Sequence, residues 1–272
     1  MTAPLQTHLP FSAWSDPALS RLPGIQPLSP DGWITVDEAY AGQMGLRDDL
    51  VGSVPDTVIF LAPSAEPAAK ELLDMLLSRL AREQGFIVTD TTVTRPDGVV
   101  VAIDRAKPMH TSGRLVQEDL CILQPNDAGE HVLTAGAICF PAFWSPAEKF
   151  GHPLTRIHVP VPVYDTDVAR RVQRLFDGVR PERPLWRANA HLAERPEIVT
   201  PAPEGAHPTR AGIDAAYLRS EKQCLVRLPV SDAIVFTIHT YMVRRGDLTA
   251  LQQQTLTEVM AERIAARQLS SD

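Results

Sequence analysis

Two hairpin signals constrain this chain more than anything else in it. Arg95-Pro96-Asp97-Gly98 separates GFIVTDTTVT from GVVVAIDRA, and Pro125-Asn126-Asp127-Ala128-Gly129 separates LVQEDLCIL from HVLTAGAICF. In each, proline and glycine stand where a tight turn needs a fixed φ and a positive φ, between runs rich in β-branched residues. Strands joined by such short turns pair antiparallel, because parallel neighbours need a crossover of about a dozen residues. The expected class is therefore α+β, an antiparallel sheet with flanking helices, rather than a doubly wound parallel sheet.

The firmest expected helix runs over about residues 64–84. Ser64 is its candidate cap, Pro67 suits its first turn, Leu72, Leu73, Leu76, Leu77 and Leu80 make one apolar stripe, and Gly85 stops it. Val36 to Leu50 reads as a weaker helix, Asp167 to Asp177 as a short one, and Asp247 to Gln268 as a closing one. Residues 222–230 and 233–243 read as further strands, the second apolar on both faces as a central strand should be. The result is five or six strands, compatible with a sheet covered by helices on one face. The 24 prolines gather in residues 1–30, 141–162 and 181–208, which read as ordered loops, including one over 179–210. Residues 1–32 are expected to form an extended arm with Phe11, Trp14 and Trp33 as aromatic anchors, and residues 33–272 a single domain.

A formal net charge of -7 argues against a nucleic-acid partner. No stretch approaches the roughly twenty apolar residues of a membrane helix, and the N-terminus lacks a basic then apolar leader, so a cytoplasmic protein is expected. Cys121, Cys139 and Cys224 are odd in number, widely spaced and set among apolar residues, where a thiol behaves as a small hydrophobe. The sequence has no GxGxxG, P-loop, GxSxG, HExxH or CxxCH, and too few clustered cysteines for an iron–sulfur centre.

Of the eight histidines, His158 stands out. In RIHVPVP, strand alternation sends Ile157, Val159 and Val161 one way and His158 the other, and Pro160 and Pro162 make the segment an edge or a ligand-facing rim. A stiff, apolar setting suits a neutral imidazole bound to iron; an edge histidine paired with an acid fits the same residues. His239, inside an apolar strand, reads as structural, and His152 as a loop residue. Three polar clusters remain. Tyr217 to Gln223 could line a pocket or form a solvated turn, and by itself favours the turn. Gln117-Glu118-Asp119 reads as a charged edge. Arg187-Ala188-Asn189 offers a guanidinium fork suited to a propionate or another carboxylate.

Taken in order, GAICFPAFWSPAEKFGHPLTRIHVPVP, the preceding QEDLCIL and the later YLRSEKQCLVRLPVSDAIVFTIHTY resemble the haem-binding subunit of the haem-dependent oxidative N-demethylases, the dimethylamine monooxygenase family. The likeness extends over roughly residues 25–265. It implies a PAS-like domain that binds haem b and uses oxygen to remove a methyl group from a small secondary amine, releasing formaldehyde. On that likeness His158 is the axial iron ligand, and Arg187, Asn189 and Trp144 are cofactor-binding. Glu221, with Arg219 and Gln223, is catalytic, Glu221 binding the alkylammonium and accepting its proton. Ala190 stands where the family has a tryptophan, which implies a changed pocket and substrate. Flavin and iron–sulfur centres are expected on partner reductase subunits, since nothing here would carry them. The alternative from a different class is a haem-binding PAS-like sensor or carrier without turnover.

Overall fold

The computed structural model describes residues 4–21, 23–158, 166–206 and 211–269. In chain order the elements are β1 (Gln26–Pro27), α1 (Tyr40–Ser53), α2 (Pro55–Val58), β2 (Ile59–Leu61), α3 (Glu66–Leu80), β3 (Ile87–Val88), β4 (Thr92–Thr94), β5 (Val100–Ala102), α4 (Pro108–Gly113), β6 (Asp119–Pro125), β7 (His131–Ala137), α5 (Pro146–Lys149), α6 (Leu154–Ile157), α7 (Thr166–Gly178), β8 (Leu185–Ala193), β9 (Tyr217–Arg227), β10 (Ile234–Arg244) and α8 (Ala250–Leu269). The main sheet has the order β1-β8-β9-β10-β6-β7-β2, and β3-β4-β5 form a small second sheet. The named strands all pair antiparallel. Both expected hairpins close, as β4–β5 and β6–β7, with Gly98 and Gly129 at φ +81 and +79.

The leucine stripe explains how α3 docks. Leu72, Leu73, Leu76, Leu77 and Leu80 are all buried, in one cluster with Leu120, Ile122, Val226 and Val235 of the sheet. Truncating one of them, Leu76→Ala for instance, would cost about 2–5 kcal/mol in lost transfer energy and cavity. Ser64 does not cap this helix. It lies in a short 3-10 turn, Pro63–Ala65, and Ala65 occupies the cap position without a side-chain bond.

Other expectations are corrected as well. The segment 179–210 is not all loop, because β8 runs through it; its prolines flank the strand at Pro184 and Pro196 and spare its ladder hydrogen bonds. Tyr217 to Gln223 is not a turn but the first half of β9. The sheet is covered on both faces rather than one. α3 lies on the face of Leu120 and Val226, while Phe176 of α7 packs with Cys121, Leu123 and Leu225 on the other.

Gln117, Glu118 and Asp119 form no charged edge either, being at most 1% exposed. They are buried because each meets a partner brought from elsewhere in the chain. Gln117 donates to Asp37 and Gln43, and Arg47 donates to Asp119. His239 bridges Glu118 through Nδ1 and Asp37 through Nε2, both at 3.0 Å. Burial disfavours its charge, but the hydrogen bonds and charges of Asp37 and Glu118 prevail and raise its pKa to about 9. β10 loses its β6 neighbour beyond Ile238. There Gln6 and Gln43 both donate to the Thr240 carbonyl, and Met242 N–H donates to Gln6, so the buried backbone stays paired. Trp14 and Trp33 are each 3% exposed. Among the described residues no helix is long and apolar enough to cross a membrane.

Candidate functional site

Strand register assembles the site. Arg187 faces Gln223, Asn189 faces Glu221 and His191 faces Arg219 across the β8–β9 ladder, so alternation sets all six side chains on one face. Glu221 is the hub. Its Oε2 accepts from Asn189 Nδ2 and Gln223 Nε2, each at 3.0 Å, and its Oε1 accepts from Arg219 Nε at 3.2 Å. Burial favours the neutral acid, but the Arg219 charge, the Asn189 bond, the nearby His191 and the Gln223 bond outweigh it and lower the pKa. Burial lowers the pKa of His191, with Glu221 pulling the other way.

Arg219 ties this hub to two loops. Nη1 donates to Ile198 O at 2.7 Å, and Nη2 donates to Phe140 O at 2.5 Å and Thr240 Oγ1 at 3.3 Å. The same loop is held from its other side. Cys139 and Phe140 N–H donate to the Asp119 carboxylate at 2.7 and 3.0 Å, and Arg47 donates to it at 2.7 Å while lying 5.1 Å over the Phe140 ring.

Arg187 is in a different state. It makes no hydrogen bond among the described residues, and its Nε is buried without a partner, as is Asn189 Oδ1. Burial lowers its pKa, opposed by the charge of Glu221. A guanidinium drawn from water without a bonded anion is costly, and a bound carboxylate would offset that cost.

His158 is not on a strand. Pro153 opens the helical turn α6, and His158 follows its last residue with φ -97° and ψ 4°, so the expected alternation fails. Pro160 and Pro162, with Val159 and Val161, lie outside the described residues. The half-buried imidazole places Nδ1 2.8 Å from Leu154 O. A carbonyl can only accept, so Nδ1 carries the proton and the neutral ring's lone pair sits on Nε2. Burial lowers this pKa, the Leu154 bond opposes, and the charges of Lys149 and Arg187 push it down further. Trp144 and Ile157 are partly buried against the cluster that contains Leu154, Phe176 and Leu225. Leu225 lies two residues beyond Gln223, on the same face of β9.

Beside Trp144, Phe143 has φ +60°, a left-handed conformation that costs a bulky residue about 1–3 kcal/mol. Its N–H donates to Thr200 O at 2.8 Å, and Thr200 N–H and Oγ1 both reach Pro141 O at 3.2 Å. Its ring centroid lies 5.9 Å from that of His191.

The sequence matches the family described as haem-dependent oxidative N-demethylase, alpha subunit-like, over residues 24–268. The chain belongs to this family. Membership makes haem dependence and oxidative N-demethylation the chemistry against which the site is read. In this demethylase-like subunit, five residues singled out from the sequence, Arg187, Asn189, Arg219, Glu221 and Gln223, share one ladder face. His158 and Trp144 come from the segment that folds over that side of the sheet.

Ala190 departs from expectation. It belongs to the opposite face and packs with Phe11 and Leu192 against buried residues such as Leu218 and Tyr241, so its side chain points away from Glu221. Sequence reasoning missed His191 and Phe143. Arg187, Asn189 and His191 recur at every second residue, the signal that reading β8 as a strand would have exposed. Nothing local marks Phe143, whose backbone conformation is set by Thr200 and whose ring is placed by the fold.

Proposed function

We propose that this protein is the haem-binding subunit of an oxygen-dependent demethylase acting on a small secondary amine such as dimethylamine. The observation that carries the reading is Glu221, a buried carboxylate kept ionised on the same ladder face as an unpaired Arg187 guanidinium. The first suits an alkylammonium, the second an anionic cofactor substituent.

The residues present fit haem b. His158, with Nδ1 tied to Leu154 and so the tautomer that leaves its lone pair on Nε2, would hold the iron. Arg187, with its orphaned Nε, suits a propionate. Asn189 shares the ladder face of Arg187, and the partly buried Trp144 would offer the macrocycle an apolar surface. Bound haem iron supplies oxygen activation; the chain supplies placement and charge.

Glu221 gives the ammonium its counter-charge and takes a proton when the nitrogen lone pair is needed, its lowered pKa suiting the first task more than the second. Asn189 and Gln223 orient the carboxylate, and Arg219 keeps it ionised. With dimethylamine, oxygen, two electrons and two protons are consumed, and methylamine, formaldehyde and water are formed. The electrons come from partner subunits bearing flavin and an iron–sulfur centre, for which this sequence has no binding motif. We assign residues 33–272 to one PAS-like domain and 1–32 to an arm. Supporting this, the five central strands, numbered from β6, lie in the order 2-1-5-4-3 with helices between the second and third.

The test is His158→Ala. The purified variant should lose haem and the wild-type Soret band; full haem content with an unchanged spectrum overturns the ligand assignment. With a surrogate reductase, wild type should release formaldehyde from dimethylamine. No formaldehyde from any small amine leaves a haem sensor or carrier instead.

A further inference from the structure

Among the described residues, two that are not glycine have a positive φ, Phe143 at +60° and Asp232 at +59°. Asp232 is an ordinary occupant of that conformation, with a short side chain, a carbonyl that accepts from Arg227 Nη1 at 2.9 Å and a carboxylate that forms an ion pair with it at 2.8 Å. Phe143 is not. Its side chain is bulky, and at 46% exposed it gains little from burial. Glycine would satisfy this backbone at no steric cost. What phenylalanine alone adds is a ring, and the ring stands against His191, beside the Asn189–Glu221 pair.

The backbone that carries the ring is pinned. Thr200 holds it at Phe143 N–H and Pro141 O, and Arg219 holds both the Phe140 and the Ile198 carbonyls. The guanidinium that fixes Glu221 therefore also fixes the wall carrying the phenyl. A half-exposed ring packed on His191, which shares a ladder face with a buried carboxylate, can attract a small cation through its face and obstruct a larger one by its bulk.

We propose that Phe143 is the specificity-determining residue of the Glu221 site, a phenyl barrier that admits dimethylammonium-sized cations and hinders bulkier ones. This inference rests on the amine-binding reading of Glu221. It is tested on the full-length, haem-loaded protein without reductant, by calorimetric titration with dimethylammonium and dipropylammonium. Wild type should favour the smaller cation by at least tenfold, a discrimination that even one of the four methylenes separating the two can supply. Phe143→Gly, which suits the backbone, should shrink that preference about tenfold, and Phe143→Trp should widen it. A preference within about twofold of wild type in both variants, while Glu221→Gln abolishes binding, overturns the barrier and leaves the amine site standing. Wild type binding neither cation, or binding unchanged in Glu221→Gln, overturns the amine site and the barrier with it.

Discussion

Asn189 and Glu221 stand opposite one another in the β8–β9 ladder, and the Asn189 amide donates to Glu221 Oε2 at 3.0 Å. The same amide leaves its Oδ1 buried without a partner. Its donor is spent on holding the carboxylate, while its acceptor remains unused by the protein. An unused buried acceptor beside an ionised carboxylate suits the N–H groups of an alkylammonium.

Glu221→Gln should remove amine binding and lower formaldehyde formation by at least about 100-fold. It also leaves Arg219 buried without its carboxylate, at about 3–5 kcal/mol by urea unfolding. Asn189→Ala removes one bond to the carboxylate and should cost less, about 1–2 kcal/mol. Equal formaldehyde yields from wild type and Glu221→Gln would sink the assigned role.

Arg187→Met separates structure from cofactor binding. Since no hydrogen bond to Arg187 is lost, the haem-free variant should melt no lower than wild type. Haem titration should show affinity reduced about tenfold, the loss of one charge-assisted contact. Undiminished haem affinity would rule out a propionate at this residue.

The pair of Arg47 and Asp119 holds the loop leading to Phe143 and Trp144. Asp119→Asn should destabilise by about 3–5 kcal/mol, because the guanidinium stays buried and uncompensated. The double variant Arg47→Met with Asp119→Leu should cost less than that single change. Chemical denaturation of the three proteins decides it.

His239 sets an alkaline limit. Its folded pKa, about 9, lies above the ordinary 6.5. Its stabilisation is therefore full below pH 6.5 and disappears as pH rises through about 9, a loss of about 3 kcal/mol. Asp37 acts in the opposite direction, its lowered pKa giving stability that is present above 3.8 and lost on acidification. Melting temperatures from pH 6 to 10 should fall for wild type but stay flatter for His239→Gln.

Ala190 gives a negative control for the pocket. Ala190→Trp should overpack the region occupied by Phe11 and cost about 1–3 kcal/mol, leaving amine selectivity unchanged. A switch in preferred amine would mean that this residue reaches the pocket after all.

Much of the architecture was readable along the chain. The α3 leucines repeat at helical spacing, and the β4–β5 and β6–β7 turns place glycine where φ must be positive. β8 escaped because prolines crowd its flanks, and the half-polar RANAH pattern is that of a strand facing a polar site rather than a core. The turn-like look of Arg219 to Gln223 misled for the same reason. Polar residues mark solvent by default, and pairing that satisfies them while buried is invisible in one segment.

The sequence by itself determined an antiparallel α+β chain, its four longer helices, and which side chains can carry charge or ligate a metal, because these follow from local spacing and side-chain chemistry. Tertiary structure decided their partners. Register set Glu221 opposite Asn189, the N-terminal residues brought Phe11 to the cluster of Ala190, and Asp37 and Glu118 closed on His239. These contacts join residues 32 to 202 positions apart, and only a folded backbone fixes their distance and burial, on which charge state and binding depend.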